Sequence, residues 1–268
     1  MALPEPSPSS VALVTGASSG IGAAIAGELG RRGHNLALAA RREDRLRELA
    51  GELSHAHGIR AEVIGCDLAT PEGRDQMAKA IEGTGLEVEI LVNNAGFGVF
   101  GDFAASERGR ENRMVSVNVS AVLDLSSRYL PPMVERGRGT VINIASVAAF
   151  QPMPGNATYA ATKAFVLSFS EAVHDELKGT GVTLTAVCPG PIRTEFMEAA
   201  EIPEAERQTP GFIWMTAEEL AHDAVEAAEK GKRAVVPGAT NQLAALAGRH
   251  SPRSLALPIV RRLMGRAR

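Results

Sequence analysis

At 268 residues, 45% of them hydrophobic and 22% charged, with 28 basic against 31 acidic side chains, the chain has the balance of one large α/β domain. It lacks the basic surplus of a nucleic-acid binder, and no run approaches the ~20 apolar residues that span a bilayer. Six scattered His and two Cys form no metal-ligand cluster, so a cytoplasmic protein without metal or nucleic-acid partner is expected.

The N-terminus, MALPEPSPSS, has neither a basic region nor a long apolar core, so residues 1–9 are expected as a disordered leader rather than a signal peptide. The apolar run VALV then ends in Thr15-Gly16-Ala17-Ser18-Ser19-Gly20-Ile21-Gly22, and a helical pattern follows to about Arg32. Strand, glycine turn and helix in that order aim backbone N–H groups at a pyrophosphate. Gly16 and Gly20 would permit the turn and a close approach, and Gly22 would let the helix lie near the strand. The second strand, residues 35–40, ends in Arg41-Arg42. In a dinucleotide fold this position meets the adenosine ribose, where an acid suits a free 2′-hydroxyl and an arginine a 2′-phosphate, so NADP is expected over NAD. The alternative is that both arginines only begin the solvated helix EDRLRELAGEL.

The third strand, AEVIGC, delivers Asp67-Leu68, with Asp67 bonding an adenine amino group or ordering its own turn. Thr70 and Pro71 suit the N-cap and first position of a helix. The fourth strand, EILVN, ends in Asn93-Asn94-Ala95-Gly96, a small, amide-rich turn that lets backbone approach a cofactor at the crevice edge. Four β-α units in a row imply a single-domain, doubly wound parallel sheet with helices on both faces. Residues 104–135 read as one or two long helices with Asn118 set in MVSVNVSAVLDL, where the amide needs partners, backbone or otherwise. The fifth and sixth strands are TVINIAS and VTLTAVC. The sixth leads into Pro189-Gly190-Pro191-Ile192-Arg193-Thr194, a loop stiffened by two prolines that should close over the cofactor's far end. Cys66 and Cys188 end apolar strands and read as buried free thiols.

Between those last strands, Tyr159 and Lys163 stand four residues apart in an Ala-rich helical run, so both side chains leave on one face and can reach one bound molecule. A phenol with an ordinary pKa near ~10 is a poor acid and a poorer base at neutral pH, but a nearby ammonium lowers that value. Tyr159 would then exchange a proton with a carbonyl or alcohol oxygen. Ser146, at the end of TVINIAS, would bind the same oxygen.

In this order TGASSGIG, NNAG, an Asn in a VNV context, a Ser thirteen positions before a YxxxK pair, and PGPIRT resemble the short-chain dehydrogenase/reductase family over about residues 11–194. The resemblance implies a Rossmann-type domain, placed at residues 10–250, and a catalytic tetrad of Asn118, Ser146, Tyr159 and Lys163. It implies hydride transfer between NADP(H) and a substrate carbon. Tyr159 would donate the proton, Ser146 would hold the oxygen, Lys163 would lower the tyrosine pKa and bond the nicotinamide ribose, and Asn118 would hold a water linking Lys163 to solvent. Cofactor contacts are implied for Gly16, Ser18, Ser19, Gly20, Ile21, Gly22, Arg41, Arg42, Asp67, Leu68, Asn94, Ala95, Gly96, Pro189 and Gly190, with Ile192 and Thr194 at the carboxamide. A homodimer or homotetramer is implied as well.

Phe97, Phe150, Met153, Pro191, Phe196, Met197, Ile213 and Trp214 are candidate walls of an apolar pocket suited to a lipophilic ketone, aldehyde or secondary alcohol. Residues 195–215, polar and holding two prolines, read as a mobile lid ahead of a helix capped at Thr216. Nine of the 28 basic residues and no acidic residue follow Glu229. There KRAVVPG would complete the sheet, and NQLAALAG and LALPIVRRLMG would form short helices. The basic tail, residues 251–268, would pack on the sheet edge or a second subunit, or meet a membrane surface or an acidic partner. A 3-oxoacyl-thioester reductase docking an acidic carrier, and a non-catalytic dinucleotide-binding sensor, are the alternative functions. The intact Ser146, Tyr159 and Lys163 count against the sensor.

Overall fold

The computed structural model describes residues 3–192, 214–254, 257–258 and 260. Strands β1 (Ser10–Thr15), β2 (Leu36–Ala40), β3 (Ala61–Gly65), β4 (Glu87–Asn93), β5 (Gly139–Ile144), β6 (Val182–Val187) and β7 (Ala234–Val235) form one sheet in the order β3-β2-β1-β4-β5-β6-β7. All its pairs are parallel. Both faces of such a sheet are covered, which is why the central strands read as nearly unbroken apolar runs.

Alternation along β1 divides the core. Ala12 and Val14 meet α1 (Gly20–Arg31), α2 (Glu43–His57) and α7 (Ala217–Glu229) through Ile25, Leu29, Leu46 and Leu220. Val11 and Leu13 meet α3 (Pro71–Thr84) and α5 (Ala121–Arg136) through Met77, Ile81, Leu125 and Met133. Helix α6 (Ala157–Glu176) covers the far end, where Val166 and Leu167 pack on Ala186 and Cys188. The strand order reverses between β1 and β4, and in such open sheets the carboxyl ends of the strands at that reversal are where ligands bind.

The doubly wound sheet is as the β-α units imply, and Thr70 caps α3 by accepting from the Gly73 amide at 3.0 Å. The leader is corrected. Leu3 is buried in the α1 face of the core, and the Asn35 amide donates to Ser7 O and Ser10 O, each at 3.1 Å, so residues 3–9 are tied to the domain. One side chain satisfies two carbonyls of the entering chain, and an apolar hole takes its leucine.

The long helical region is nearly continuous. Helix α4 (Arg108–Val115) runs through a π-helical turn at Ser116–Ser120 into α5, which contains Pro131 and Pro132 and ends at Gly137 with φ +69°. The wider turn holds Asn118, 1% exposed, toward the strand ends. Helix α7 opens with the expected capping box: the Glu219 amide donates to Thr216 Oγ1 at 3.1 Å, and the Thr216 amide to Glu219 Oε2 at 3.0 Å. Residues 193–213, most of the expected lid, lie outside the described residues. Its flanks meet, since Ile192 bridges Met215 and the Met215 amide donates to Pro191 O at 3.4 Å. KRAVVPG supplies β7, and helix α8 (Ala239–His250) follows. Of the basic tail, Val260 is buried, while residues 261–268 lie outside the described residues. Among the described residues no helix is long and apolar enough to cross a membrane.

Candidate active site

The glycine turn and the NNAG turn are bonded into one unit across the β1/β4 boundary. Thr15 Oγ1 donates to Val92 O at 3.0 Å and accepts from the Asn94 and Ala95 amides at 3.0 and 3.1 Å. The Asn94 side chain donates to Thr15 O at 2.8 Å and Gly16 O at 3.3 Å. Gly16 and Gly20 have φ of +67° and +57°, where a side chain is strained. Gly22 is small for another reason: a Cβ there would lie 2.4 Å from Gly16 O. Ser19 stands at the N-cap of α1 without a side-chain capping bond, and Ile21 packs on the core beneath. These are the features of a backbone cradle at a helix N-terminus.

At the end of β2, Arg42 turns onto that cradle. Its guanidinium donates to Ser19 Oγ at 2.7 Å and to Ser18 Oγ at 3.2 Å. Asp67 accepts from the Ala69 amide at 3.1 Å and from Arg113 of α4 at 2.6 Å, so it orders its own turn. Partial burial works against its charge, but the Ala69 amide, Arg113 and, at longer range, Arg41 outweigh it and hold the carboxyl below its usual range. Leu68 is buried, and its carbonyl accepts from Arg74 at 3.0 Å.

Ser146, Tyr159 and Lys163 converge beyond the end of β5. Ser146 is hydrogen-bonded to the Tyr159 hydroxyl, and its Oγ accepts from the Ala148 amide at 3.1 Å in the turn Val147–Phe150. Lys163 Nζ stands 5.8 Å from the Tyr159 ring centroid and donates to Ile144 O at 2.7 Å. Burial pushes the phenol pKa up to about 12, with the Ser146 bond pulling the other way, and pushes Lys163 down to about 8. Lys163 is not among the groups that shift the phenol; burial and Ser146 are. Desolvation dominates both groups, and the ammonium is engaged by a carbonyl. Cys188 adjoins this cluster as a free, buried thiol, raised to about 12 chiefly by burial. Cys66 is likewise buried and free.

Asn118 joins the same cluster through backbone. Its Oδ1 accepts from the Phe97 amide at 3.1 Å, and its Nδ2 donates to Phe97 O at 3.0 Å and to Thr162 Oγ1 at 3.1 Å. A Cβ on Gly96 would lie 3.1 Å from Asn118 Oδ1 and 3.5 Å from Lys163 Nζ, so the NNAG backbone passes directly over the pair. The loop after β6 is held from below, since the Val147 amide donates to Pro189 O at 2.9 Å and Ile192 is buried. Arg193, Thr194, Phe196, Met197 and Ile213 lie outside the described residues. Phe97, Met153, Pro191 and Trp214 are half-buried, whereas Phe150 packs partly into the core beneath α6.

Three groups escaped the sequence reading. Thr162 is one. Asn241 of α8 is another: it is 3% exposed and packs on Gly190, where a Cβ would lie 2.2 Å from its Oδ1. The third is a buried polar ladder under the site, in which Asn93 donates to Asn143 Oδ1 and Asn143 to Ser170 Oγ, each at 2.9 Å. A polar residue in mid-strand, as in TVINI, is the signal that would have found it.

A family model described as short chain dehydrogenase matches residues 10–205. The very-long-chain 3-oxoacyl-CoA reductase of Anas platyrhynchos is 35% identical over 205 residues, covering 74% of this chain and 64% of that protein. A short-chain dehydrogenase from Sphingobium yanoikuyae in complex with NADPH superposes with a TM-score of 0.80 at 34% identity, over 89% of this chain and 92% of that one. The bulky-bulky ketone specific alcohol dehydrogenase of Comamonas testosteroni gives a TM-score of 0.75 at 31% identity, over 96% and 94%.

Proposed function

The chain belongs to the short-chain dehydrogenases, and from that premise we propose that it is an NADP(H)-dependent oxidoreductase acting on a lipophilic ketone, aldehyde or secondary alcohol. The observation that carries the reading is the convergence of Ser146, Tyr159 and Lys163 beside the NNAG turn. The residues present fit the cofactor: the turn that opens α1 depends on Gly16 and Gly20 at positive φ and presents backbone at a helix N-terminus, and Arg42 with two serine hydroxyls suits a 2′-phosphate. The pyrophosphate falls to Ser18–Ile21 amides, and the adenosine end to Arg41, Arg42, Asp67 and Leu68. Asn94, Ala95, Gly96, Pro189, Gly190, Ile192 and Thr194 are assigned to the nicotinamide half. When bound, NADP(H) supplies the hydride chemistry.

The protein's own part is proton handling. Tyr159 carries a proton that its raised pKa keeps in place at neutral pH, and it delivers that proton to the substrate oxygen as negative charge develops there. Ser146, already bonded to the phenol, orients the same oxygen. Lys163 places its ammonium on the ribose side, and a cation freed from Ile144 O would favour the phenolate when the reaction runs toward oxidation. Asn118 Oδ1 accepts one bond, from the Phe97 amide, and lies with Lys163 Nζ beside Gly96, so its second lone pair suits a water-mediated proton relay.

Similarity to a 3-oxoacyl-CoA reductase and to a bulky-ketone dehydrogenase favours a lipophilic carbonyl, with an acyl-thioester substrate as the second reading. Oxidation of NADPH against a panel of long-chain ketones, aldehydes and 3-oxoacyl thioesters separates them, and no turnover with any lipophilic carbonyl or alcohol would reject the class. Arg42→Ala should weaken NADPH by about one to two decades while leaving NADH nearly unchanged, since a hydrogen bond to a charged group is worth roughly 1.5–3 kcal/mol. Arg41→Ala should act in the same direction. Equal losses for both cofactors in titrations at one salt concentration would remove the 2′-phosphate assignment.

A homodimer or homotetramer is supported by Phe165, stacked on Phe169 with centroids 6.1 Å apart yet partly exposed on α6. Leu243 and Leu246 point outward from α8 beside the exposed Arg249 and Arg253, a face that suits a second subunit and, as the alternative, an anionic membrane surface. Glutamates at both leucines should give a smaller assembly in light scattering with unchanged sedimentation on anionic vesicles. Abolished co-sedimentation with the vesicles would instead mark this face as a membrane contact.

A further inference from the structure

Thr162 lies within the Tyr159-x-x-x-Lys163 motif yet faces neither the substrate oxygen nor solvent; it is 3% exposed. Its hydroxyl donates to the Tyr159 carbonyl at 2.7 Å, one turn back along α6. With its proton so committed, the oxygen can only accept, and it does so from Asn118 Nδ2 at 3.1 Å. That contact determines which way the amide of Asn118 points. The other bonds of the amide agree, with Oδ1 accepting from the Phe97 amide and Nδ2 donating to the Phe97 carbonyl. A flipped Asn118 would set its NH2 group against the Phe97 N–H and its oxygen against the Thr162 oxygen. The chain of bonds therefore runs from the Tyr159 backbone through Thr162 and Asn118 to Phe97, the residue after the NNAG turn.

We infer that Thr162 is a positioning residue: it locks the helical turn bearing Tyr159 to the Gly96-Phe97 backbone, and so holds the phenol in register with the site where the substrate carbon meets the hydride. This rests on the proposed dehydrogenase reading. The Lys163 bond to Ile144 O and the Ser146 bond to the phenol tie α6 to the end of β5, whereas the Thr162–Asn118 bond ties the Tyr159 turn to the Gly96-Phe97 backbone, and a misplacement of about 1 Å can cost on the order of 10²-fold in rate.

The test compares Thr162→Val, which keeps the shape and deletes the hydroxyl, with Thr162→Ser, which restores it. In the Val variant kcat should fall roughly 10- to 100-fold with little change in NADPH affinity, and the pH profile of kcat should be displaced because the phenol and Lys163 no longer keep their spacing. The Ser variant should recover to within about 3-fold, since its hydroxyl can make both bonds. Hydrogen exchange at the Phe97 amide, measured without substrate, should be faster in Val and normal in Ser. A Val variant with wild-type kcat and pH profile overturns the inference even if it melts earlier, and so does an unchanged Phe97 exchange rate. The exchange readout needs no turnover, so it distinguishes failure here from failure of the dehydrogenase reading.

Discussion

Replacing Tyr159 by phenylalanine should remove turnover by roughly 10²- to 10⁴-fold, the usual worth of a positioned general acid, while the NADPH dissociation constant stays within a few-fold. Phenylalanine keeps the ring beside Lys163 and deletes only the hydroxyl that Ser146 holds. The fold should tolerate the change, because one hydrogen bond of this kind contributes about 0.5–1.5 kcal/mol net. Pre-steady-state NADPH oxidation by the purified variant, set beside fluorescence titration of the cofactor, reads both quantities. Wild-type turnover in the Phe variant would rule out Tyr159 as the proton donor, and a large loss of cofactor affinity would mean that the phenol acts mainly in binding.

Lys163→Met should separate stability from function. Burial holds the Lys163 pKa at about 8 against an ordinary 10.5, so between those values the unfolded chain binds a proton that the folded protein has released. Wherever the unfolded state binds more protons, stability rises with pH. The lysine therefore weakens the unliganded fold most below pH 8, by an amount on the order of 3 kcal/mol, and this cost fades toward pH 10.5. Methionine carries no charge, and the variant without cofactor should be more stable than wild type at neutral pH, by an advantage that shrinks across this window. Tyr159, Cys66 and Cys188 have raised folded values, so they lose stability as pH climbs past their unfolded ones. They do so in both proteins and cancel in the difference. Turnover and NADPH affinity should both fall in the variant. Urea melts from pH 7 to 10.5 check the first claim, and a parallel pair of stability curves would show that Lys163 does not carry a depressed pKa. A cofactor dissociation constant equal to the wild-type value would detach Lys163 from the ribose.

How far the chain was legible follows from the range of the forces involved. The strand-glycine-helix opening, the arginines after β2, the capped α3 and α7 and the i, i+4 pairing of Tyr159 and Lys163 were read from spacing alone. Each depends on neighbours within a few residues: a period of two or 3.6, a backbone angle that glycine permits, or a hydroxyl reaching a nearby amide. The opening residues show the limit. Their polar, proline-rich composition has no local reason to be ordered, and order comes from Asn35, 28 residues beyond Ser7.

The sequence by itself thus determined the doubly wound sheet and the turns that bring backbone to the ends of its strands, and it singled out Ser146, Tyr159 and Lys163, which the fold brings together. Only the tertiary structure decided what those residues feel. The partners of Asn118 lie 21 and 44 positions away, and Arg42 reaches back 23 residues to Ser19. The charge states of Tyr159 and Lys163 follow from desolvation under a packed helix and from the Ile144 carbonyl. Hydrogen-bond partners and dielectric environment belong to the folded volume, and no local pattern of residue types encodes how deeply a side chain is buried or which distant backbone comes to meet it.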